Sequence, residues 1–232
     1  MRIPKNIFHT HKNEEIVKDH IKTWRNESDY RYYFFNDQRL NDYMRGYSDK
    51  VYEAFCSVTS PAVKADLWRY IILYEYGGVY ADSDIRLISK LNDFIRDDDE
   101  LIVVYDDKVP CNDVFQGFIA CTPQHPVLKR AICVAADNIL CRRYERDGDR
   151  PHNVFKISGP SMFGEIVRKY IGKVRYLFHS TPDFTRDDHG PDVILEHIDG
   201  IFRPIMVAQA NGHRQGNDHY SKLKNIYVDT PD

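Results

Sequence analysis

The apolar positions of this chain switch repeatedly between two periods. Ile3–Thr10 ("IPKNIFHT") is a short apolar run of strand type, and a helical stretch follows around Glu14–Arg25. Tyr30–Asp37 ("YRYYFFND") is rich in aromatic residues and closes on Asn36-Asp37, which is a strand ending in turn chemistry. Helical spacing returns over Gln38–Tyr47 and Lys50–Val58. The next helix carries signals at both ends: Ser60 as N-cap, Pro61 in the first position, and Gly77 just past the last periodic residue. After the Gly77-Gly78 turn, Val79–Ile85 is expected to form one strand. Glu100–Asp107 and Val114–Thr122 are further strands, and His125–Tyr144 and Ser161–Tyr170 further helices. "VRYLFHS", "VILEH" and "KNIYVD" read as short strands towards the C-terminus. Strands alternating with helices predict an α/β layer fold with a mostly parallel sheet. No repeat and no long linker divides it, so residues 1–232 are expected to form one domain.

Composition narrows the class. With 42% hydrophobic residues in 232, the chain can bury one sizeable core. A net charge of −3 without a basic stripe argues against a nucleic-acid partner. No apolar run approaches the roughly 18 residues of a membrane span. The opening "MRIPKNIFHTHKNEE" is broken by His9, His11 and Lys12, and reads as neither a signal peptide nor an anchor. The five cysteines are odd in number and lack C-x-x-C spacing, as expected of free thiols in a reducing compartment. These features make a cytoplasmic protein the expectation. The consecutive acids of Arg96–Glu100 ("RDDDE") fan outward and read as a solvated loop.

The chemistry concentrates at "GGVYADSDI". In an extended chain Asp82 and Asp84 point to the same side while Ser83 faces away. The carboxyl end of a strand is where open α/β sheets bind ligands. Two convergent carboxylates suit a hard divalent cation such as Mg²⁺ or Mn²⁺, with room left for phosphate oxygens. One helix earlier, Asp66 and Arg69 are three residues apart, on a face shared with Ala62 and Leu73. Their apolar neighbours make them a partly buried pair, open to two readings: a simple ion pair, or polar groups presented to a ligand.

Ala65-Asp66, Arg69, Leu73, Gly77-Gly78, Tyr80, Asp82 and Asp84 together resemble glycosyltransferase family 32, the sugar transferases with a DXD sugar-binding region. More distantly they are similar to the glucosyltransferase domain of large clostridial toxins. "IPKNIFHTHK" and "ISGPSMF" (Ile157–Phe163) extend the likeness over about residues 1–165. The resemblance implies a GT-A fold, with a Rossmann-like nucleotide-sugar part over about 1–122 and an acceptor part over about 123–232. It implies Mn²⁺ or Mg²⁺, a nucleotide-diphospho-sugar donor (a UDP-sugar by likeness to the toxins), retention of configuration, and a glycan or glycoprotein acceptor. Golgi members of the family carry a membrane anchor, and the lack of one here makes a bacterial or viral enzyme, or one cut from a longer chain, the expectation.

The implied roles follow the motif. Asp82 would contact the ribose and donor sugar, with a share in the metal site, and Asp84 would hold the metal. Asp66 and Arg69 would contact the donor sugar. His9, Thr10, His11, Tyr80 and Ser83 complete the expected donor-binding set, His11 standing where the family usually has Trp. Asn112, Asp113 and Gln116 would face the transferred sugar, with Asp113 and Gln116 as catalytic candidates beside the acid pair. His219, preferred to His213, would be a further metal ligand. Rival readings fit less well. A haloacid-dehalogenase-type phosphohydrolase needs Thr or Val two places after the second acid, where this chain has Arg86. A calcium loop needs a glycine and a distal glutamate that do not follow. A non-catalytic sugar-binding module would have lost ligands, yet Asp66, Arg69, Asp82 and Asp84 are all present.

Overall fold

The computed structural model of the chain describes residues 2–106, 113–144, 150–180, 192–208 and 226–228. Its N-terminal half runs β1 (Asn6–Thr10), α1 (Glu14–Arg25), β2 (Arg31–Phe35), α2 (Asp37–Arg45), α3 (Asp49–Cys56), α4 (Pro61–Tyr76), β3 (Gly78–Ala81), β4 (Ile85–Leu87) and α5 (Leu91–Phe94). The rest is β5 (Leu101–Asp106), β6 (Asp113–Cys121), α6 (Pro126–Leu140), α7 (Arg150–Ile157), α8 (Pro160–Lys169), β7 (Arg175–Ser180), β8 (Asp192–Ile198) and β9 (Ile201–Ala208). The helix with the clearest boundary signals forms as read: the Ser60 side chain caps the amide of Val63, Pro61 opens α4, and Gly77 ends it at φ 59°. Gly78 follows at φ 112°. A Cβ on Gly77 would lie 2.6 Å from the Pro123 nitrogen, and one on Gly78 would lie 2.6 Å from the Asn6 carbonyl oxygen. Both glycines are therefore required by backbone conformation and by close approach.

The strands form one sheet in the order β2-β1-β3-β6-β5-β7-β8-β9-β4. Pairing is parallel at β2–β1–β3 and at β5–β7, and antiparallel elsewhere. The sheet is thus mixed, not mostly parallel, because β6 runs against both of its neighbours and the last strands are joined as hairpins. β3 and β4 stand six places apart in that order, yet only Asp82, Ser83 and Asp84 connect them. Four residue steps reach about 14 Å, whereas six flat strand spacings need about 29 Å. The sheet must therefore curl until its β4 edge returns beside β3.

The expected single strand Val79–Ile85 is broken by that return. The Asp82 amide donates to the Gly117 carbonyl at 2.8 Å, and the Ile85 amide closes a turn on the Asp82 carbonyl at 3.0 Å. The two acids sit in a turn, and the alternation expected of an extended chain does not apply to them. The helix expected over His125–Tyr144 stops at Leu140, and Arg142 and Tyr144 take positive φ values of 47° and 65°.

One core packs α4, α6 and α8 against one face of the sheet, around Trp68, Tyr70 and Phe163. A second core lies on the other face and includes Trp24, Phe94 and Phe118. Trp24 fastens α1 to the start of β4 by donating its indole N–H to the Ile85 carbonyl at 2.7 Å. Among the described residues, Cys56, Cys121, Cys133 and Cys141 are free thiols, and no helix is long and apolar enough to cross a membrane.

Candidate active site

Helix α4 is apolar nearly all round, the pattern of a helix buried on every side. An acid and a guanidinium on such a helix have little water to face: Asp66 and Arg69 are 5% and 7% exposed. They are satisfied by one another and by what the neighbouring elements bring. Arg69 Nη2 lies 3.2 Å from Asp66 Oδ1 and 3.6 Å from Asp82 Oδ1, and Nη1 donates to the Gln116 carbonyl at 2.7 Å. The same guanidinium stands 4.4 Å from the centre of the Tyr80 ring, and the Tyr80 hydroxyl donates to Asp82 Oδ1 at 2.6 Å. Ser158 Oγ donates to Asp66 Oδ2 at 2.8 Å. One arginine thus ties the helix, the end of β3 and the bend of β6 together.

The electrostatics follow from burial. Loss of water pushes the Asp66 carboxyl up to about 6, against the lowering effects of Arg69 and Ser158, and Asp82 adds to the rise. Burial likewise raises Tyr80 well above the ordinary phenol value. Tyr80 is therefore a fixed hydroxyl donor to Asp82. The Asp82 side chain itself remains 37% exposed, so this buried framework presents a carboxylate at the surface.

The expected site residues divide by position. Asp82, Ser83 and Asp84 form the turn, with Ser83 buried and both acids partly exposed. Asp66, Arg69 and Tyr80 converge on Asp82 from beneath. Thr10 ends β1 and His11 follows it; Phe8 of that strand pairs with Tyr80, so both reach the same end of the sheet. Thr10 Oγ1 donates to the Phe35 carbonyl at 2.9 Å, and His11 Nδ1 lies 2.6 Å from the Asn13 carbonyl oxygen. His9 points to the opposite face, where Ile7 pairs with Val79. It is fully buried between Trp24 and Tyr32, and burial, helped by Arg25, lowers its pKa to about 3. Gln116 is 6% exposed; its amide donates to the Tyr70 hydroxyl and to the Ser158 carbonyl, the latter at 3.3 Å. Asp113 opens β6. Asn112, His213 and His219 lie outside the described residues.

Sequence reasoning assigned no role to Ser158 or Tyr70. Ser158 stands inside the "ISGPSMF" segment that carried part of the resemblance, and Tyr70 donates to its carbonyl at 2.6 Å. That segment has a physical reason to be there: it supplies the second partner of Asp66.

The acid turn offers oxygen donors only. Asp82 Oδ1 is engaged by Tyr80 and Arg69, while Oδ2 is directed towards Gly117, where an added Cβ would stand 3.1 Å from it. Among the described residues no three His, Cys, Asp or Glu side chains converge as a metal site. This arrangement fits Mg²⁺ or Mn²⁺, which take one or two carboxylates and fill their coordination with phosphate and water, and it does not fit a closed protein cage.

A sequence profile described as a glycosyltransferase sugar-binding region containing the DXD motif matches residues 14–101. The chain is 26% identical over 229 residues to the initiation-specific alpha-1,6-mannosyltransferase of Schizosaccharomyces pombe, across 88% of this chain and 54% of the relative. It is 30% identical over 141 residues to a mannosyl phosphorylinositol ceramide synthase of Saccharomyces cerevisiae, across 56% of this chain and 34% of the relative. The chain therefore spans about half, or less, of the length of these curated relatives. The fold matches the PaToxG glycosyltransferase with a TM-score of 0.52 at 17% identity, over 73% of this chain and 70% of that one. That likeness bears out the expected GT-A type of α/β fold. Residues 14–101 thus match a glycosyltransferase sugar-binding region containing the DXD motif, and the fold that carries them is similar to that of a solved glycosyltransferase.

Proposed function

We propose that the chain transfers a hexosyl group from a nucleotide-diphospho-sugar to a hydroxyl of a glycan-type acceptor, with a divalent cation at the acid turn. The observation that carries this reading is the state of Asp82. A buried arginine and a tyrosine hydroxyl fix one of its oxygens, and the carboxylate is still partly open to solvent. An exposed acid held this firmly from below is built to meet a ligand. In this reading Asp84 and Asp82 hold the cation, which when bound supplies Lewis-acid charge for the leaving diphosphate. Asp66 and Ser158 orient Arg69 and, through it, Asp82. Thr10 and His11 would contact the nucleotide and Asp113 the transferred sugar, while Gln116, buried beneath Arg69, serves the site by holding that arginine through its carbonyl. The relatives named as mannosyltransferases favour mannose as the sugar, and the UDP preference read from the toxin likeness is tested against GDP.

The test is thermal. UDP or GDP with Mn²⁺ should raise the melting temperature, and EDTA should cancel most of the rise. Ligand at about a hundred times its Kd adds about 2.7 kcal/mol. In a domain of this size each kcal/mol moves the midpoint by about 2–4 °C, so the expected shift is several degrees. Release of free sugar from GDP-mannose or UDP-glucose then identifies the donor. No response to either nucleotide by folded protein with metal present would overturn the reading.

A further inference from the structure

At the same end of the sheet, away from the acid turn, β5, β7 and β8 bring a histidine between two aspartates. His179 Nδ1 lies 3.1 Å from Asp106 Oδ2, and Nε2 lies 3.6 Å from Asp192 Oδ2, an ion-pair distance. The His179 and Asp106 side chains are buried, and that of Asp192 is 12% exposed. Carboxylates at both ring nitrogens call for the doubly protonated ring. Burial alone would lower the His179 pKa, and the two aspartates raise it to about 9. A buried charge cluster of this kind adds little net stability, because desolvation consumes most of its attraction. Fold stability therefore leaves the cluster without a sufficient reason.

Its contacts supply one. The imidazole lies flat on the Phe115 ring, with centroids 4.7 Å apart and an interplanar angle of 14°. Phe115 sits on β6 at the irregularity where register with β5 shifts between Val103 and Val104. The ring tip occupies the space a side chain at 117 would need: a Cβ on Gly117 would fall 2.3 Å from Phe115 Cζ and 3.1 Å from Asp82 Oδ2. The Gly117 carbonyl also accepts the Asp82 amide at 2.8 Å. Contact thus runs from His179 through Phe115 and Gly117 to Asp82.

We propose that His179 is a positioning residue for the acid turn: clamped between Asp106 and Asp192, it stacks on the Phe115 ring, keeps the ring tip against Gly117 and so sets where Asp82 stands. Its kinetic consequence rests on the transferase reading; its structural consequence does not. Phe115→Leu keeps an apolar side chain and removes the flat ring, and His179→Gln removes both the stack and the cation. The triple variant Asp106→Asn/His179→Phe/Asp192→Asn keeps a flat ring at 179 without an unpaired acid at 106 or 192.

With wild type first shown to hydrolyse GDP-mannose or UDP-glucose in Mn²⁺, both single variants should lose about tenfold or more in kcat with KM changed less than about twofold, since a misplacement of about 1 Å costs up to about a hundredfold. The triple variant should recover most of that loss. Crystal structures of wild type and Phe115→Leu should show the Asp82 carboxylate displaced in the variant. Full kcat in Phe115→Leu, kcat that falls only in step with melting temperature, or no recovery in the triple variant would overturn the proposal. An inactive wild type would count against the transferase reading alone, and the crystal comparison then decides: Asp82 in the same place in both structures overturns the positioning role.

Discussion

The Arg69 guanidinium and the Tyr80 ring are stacked 4.4 Å apart, and both act on the same oxygen of Asp82. The planar fork reaches three further features at once: the ring face, the Asp66 carboxylate and the Gln116 carbonyl. A lysine ammonium is a point charge that cannot span them. Arg69→Lys should therefore lower turnover by well over tenfold and melting temperature by several degrees, read from sugar release and a thermal melt. Retention of both would remove Arg69 from the framework. Breaking a buried pair outright costs about 3–5 kcal/mol, so Arg69→Ala should be the more severe of the two.

Asp84 lies in the turn with its side chain partly exposed, so its loss should spare the fold. Asp84→Asn is expected to keep the wild-type melting temperature to within about 2 °C, a surface change being worth roughly 0.5 kcal/mol or less. The Mn²⁺-dependent nucleotide shift should disappear. Persistence of that shift at ordinary Mn²⁺ concentrations would remove Asp84 from the cation site.

Asp66 gives a dependence on pH with a defined sign. Its pKa is 3.8 in the ordinary state and about 6 in the fold. Below 3.8 it is protonated in both states and its contribution is fully present. Between 3.8 and 6 the unfolded chain has released the proton that the folded chain still holds, so stability falls as pH rises. Above 6 the contribution is gone. The total is roughly 3 kcal/mol, at about 1.4 kcal/mol per pKa unit. The difference between wild type and Asp66→Asn, followed by urea unfolding from pH 4 to 7, should show this slope. A flat difference would mean that Asp66 titrates as an ordinary acid in the fold.

Much of this arrangement is legible in the sequence, and the division has a physical cause. Asp66 and Arg69 face each other because three residues is almost one helical turn, and Ser60, Pro61 and Gly77 mark α4 by local chemistry alone. Gly77-Gly78 announces a turn that no other residues would tolerate. Ser158 beneath Asp66, Gln116 beneath Arg69 and Phe115 against His179 are meetings of distant segments, set by how helices and strands pack and not by any spacing along the chain. The strand reading of Val79–Ile85 misses for the same reason. Its apolar pattern is real on both sides of the acids, but β3 and β4 serve different partners, β6 and β9.

Gly117 supplies a steric prediction. An alanine there would drive its Cβ into the Phe115 ring and towards Asp82 Oδ2. Overpacking of this kind costs about 1–3 kcal/mol, so Gly117→Ala should melt several degrees lower and lose most of its nucleotide response. Pairing it with Phe115→Leu should restore part of the stability. An unperturbed single variant would show that the ring has room to move.

The three-residue link between β3 and β4 has a consequence for the order of assembly. Ile85 pairs with Ala208, so the far side of the acid turn, held earlier only through Trp24 and Thr23 of α1, gains its strand partner from a segment made much later in synthesis, and closing so long a loop is slow. A nascent chain that has emerged as far as α5 already carries the whole Asp-Ser-Asp motif, but not the strand that gives it shape. Until β9 arrives, the segment beyond Asp84 has no strand to pair with. Competence at this turn is therefore a property of the finished chain, and an incomplete product would hold the motif without the means to use it.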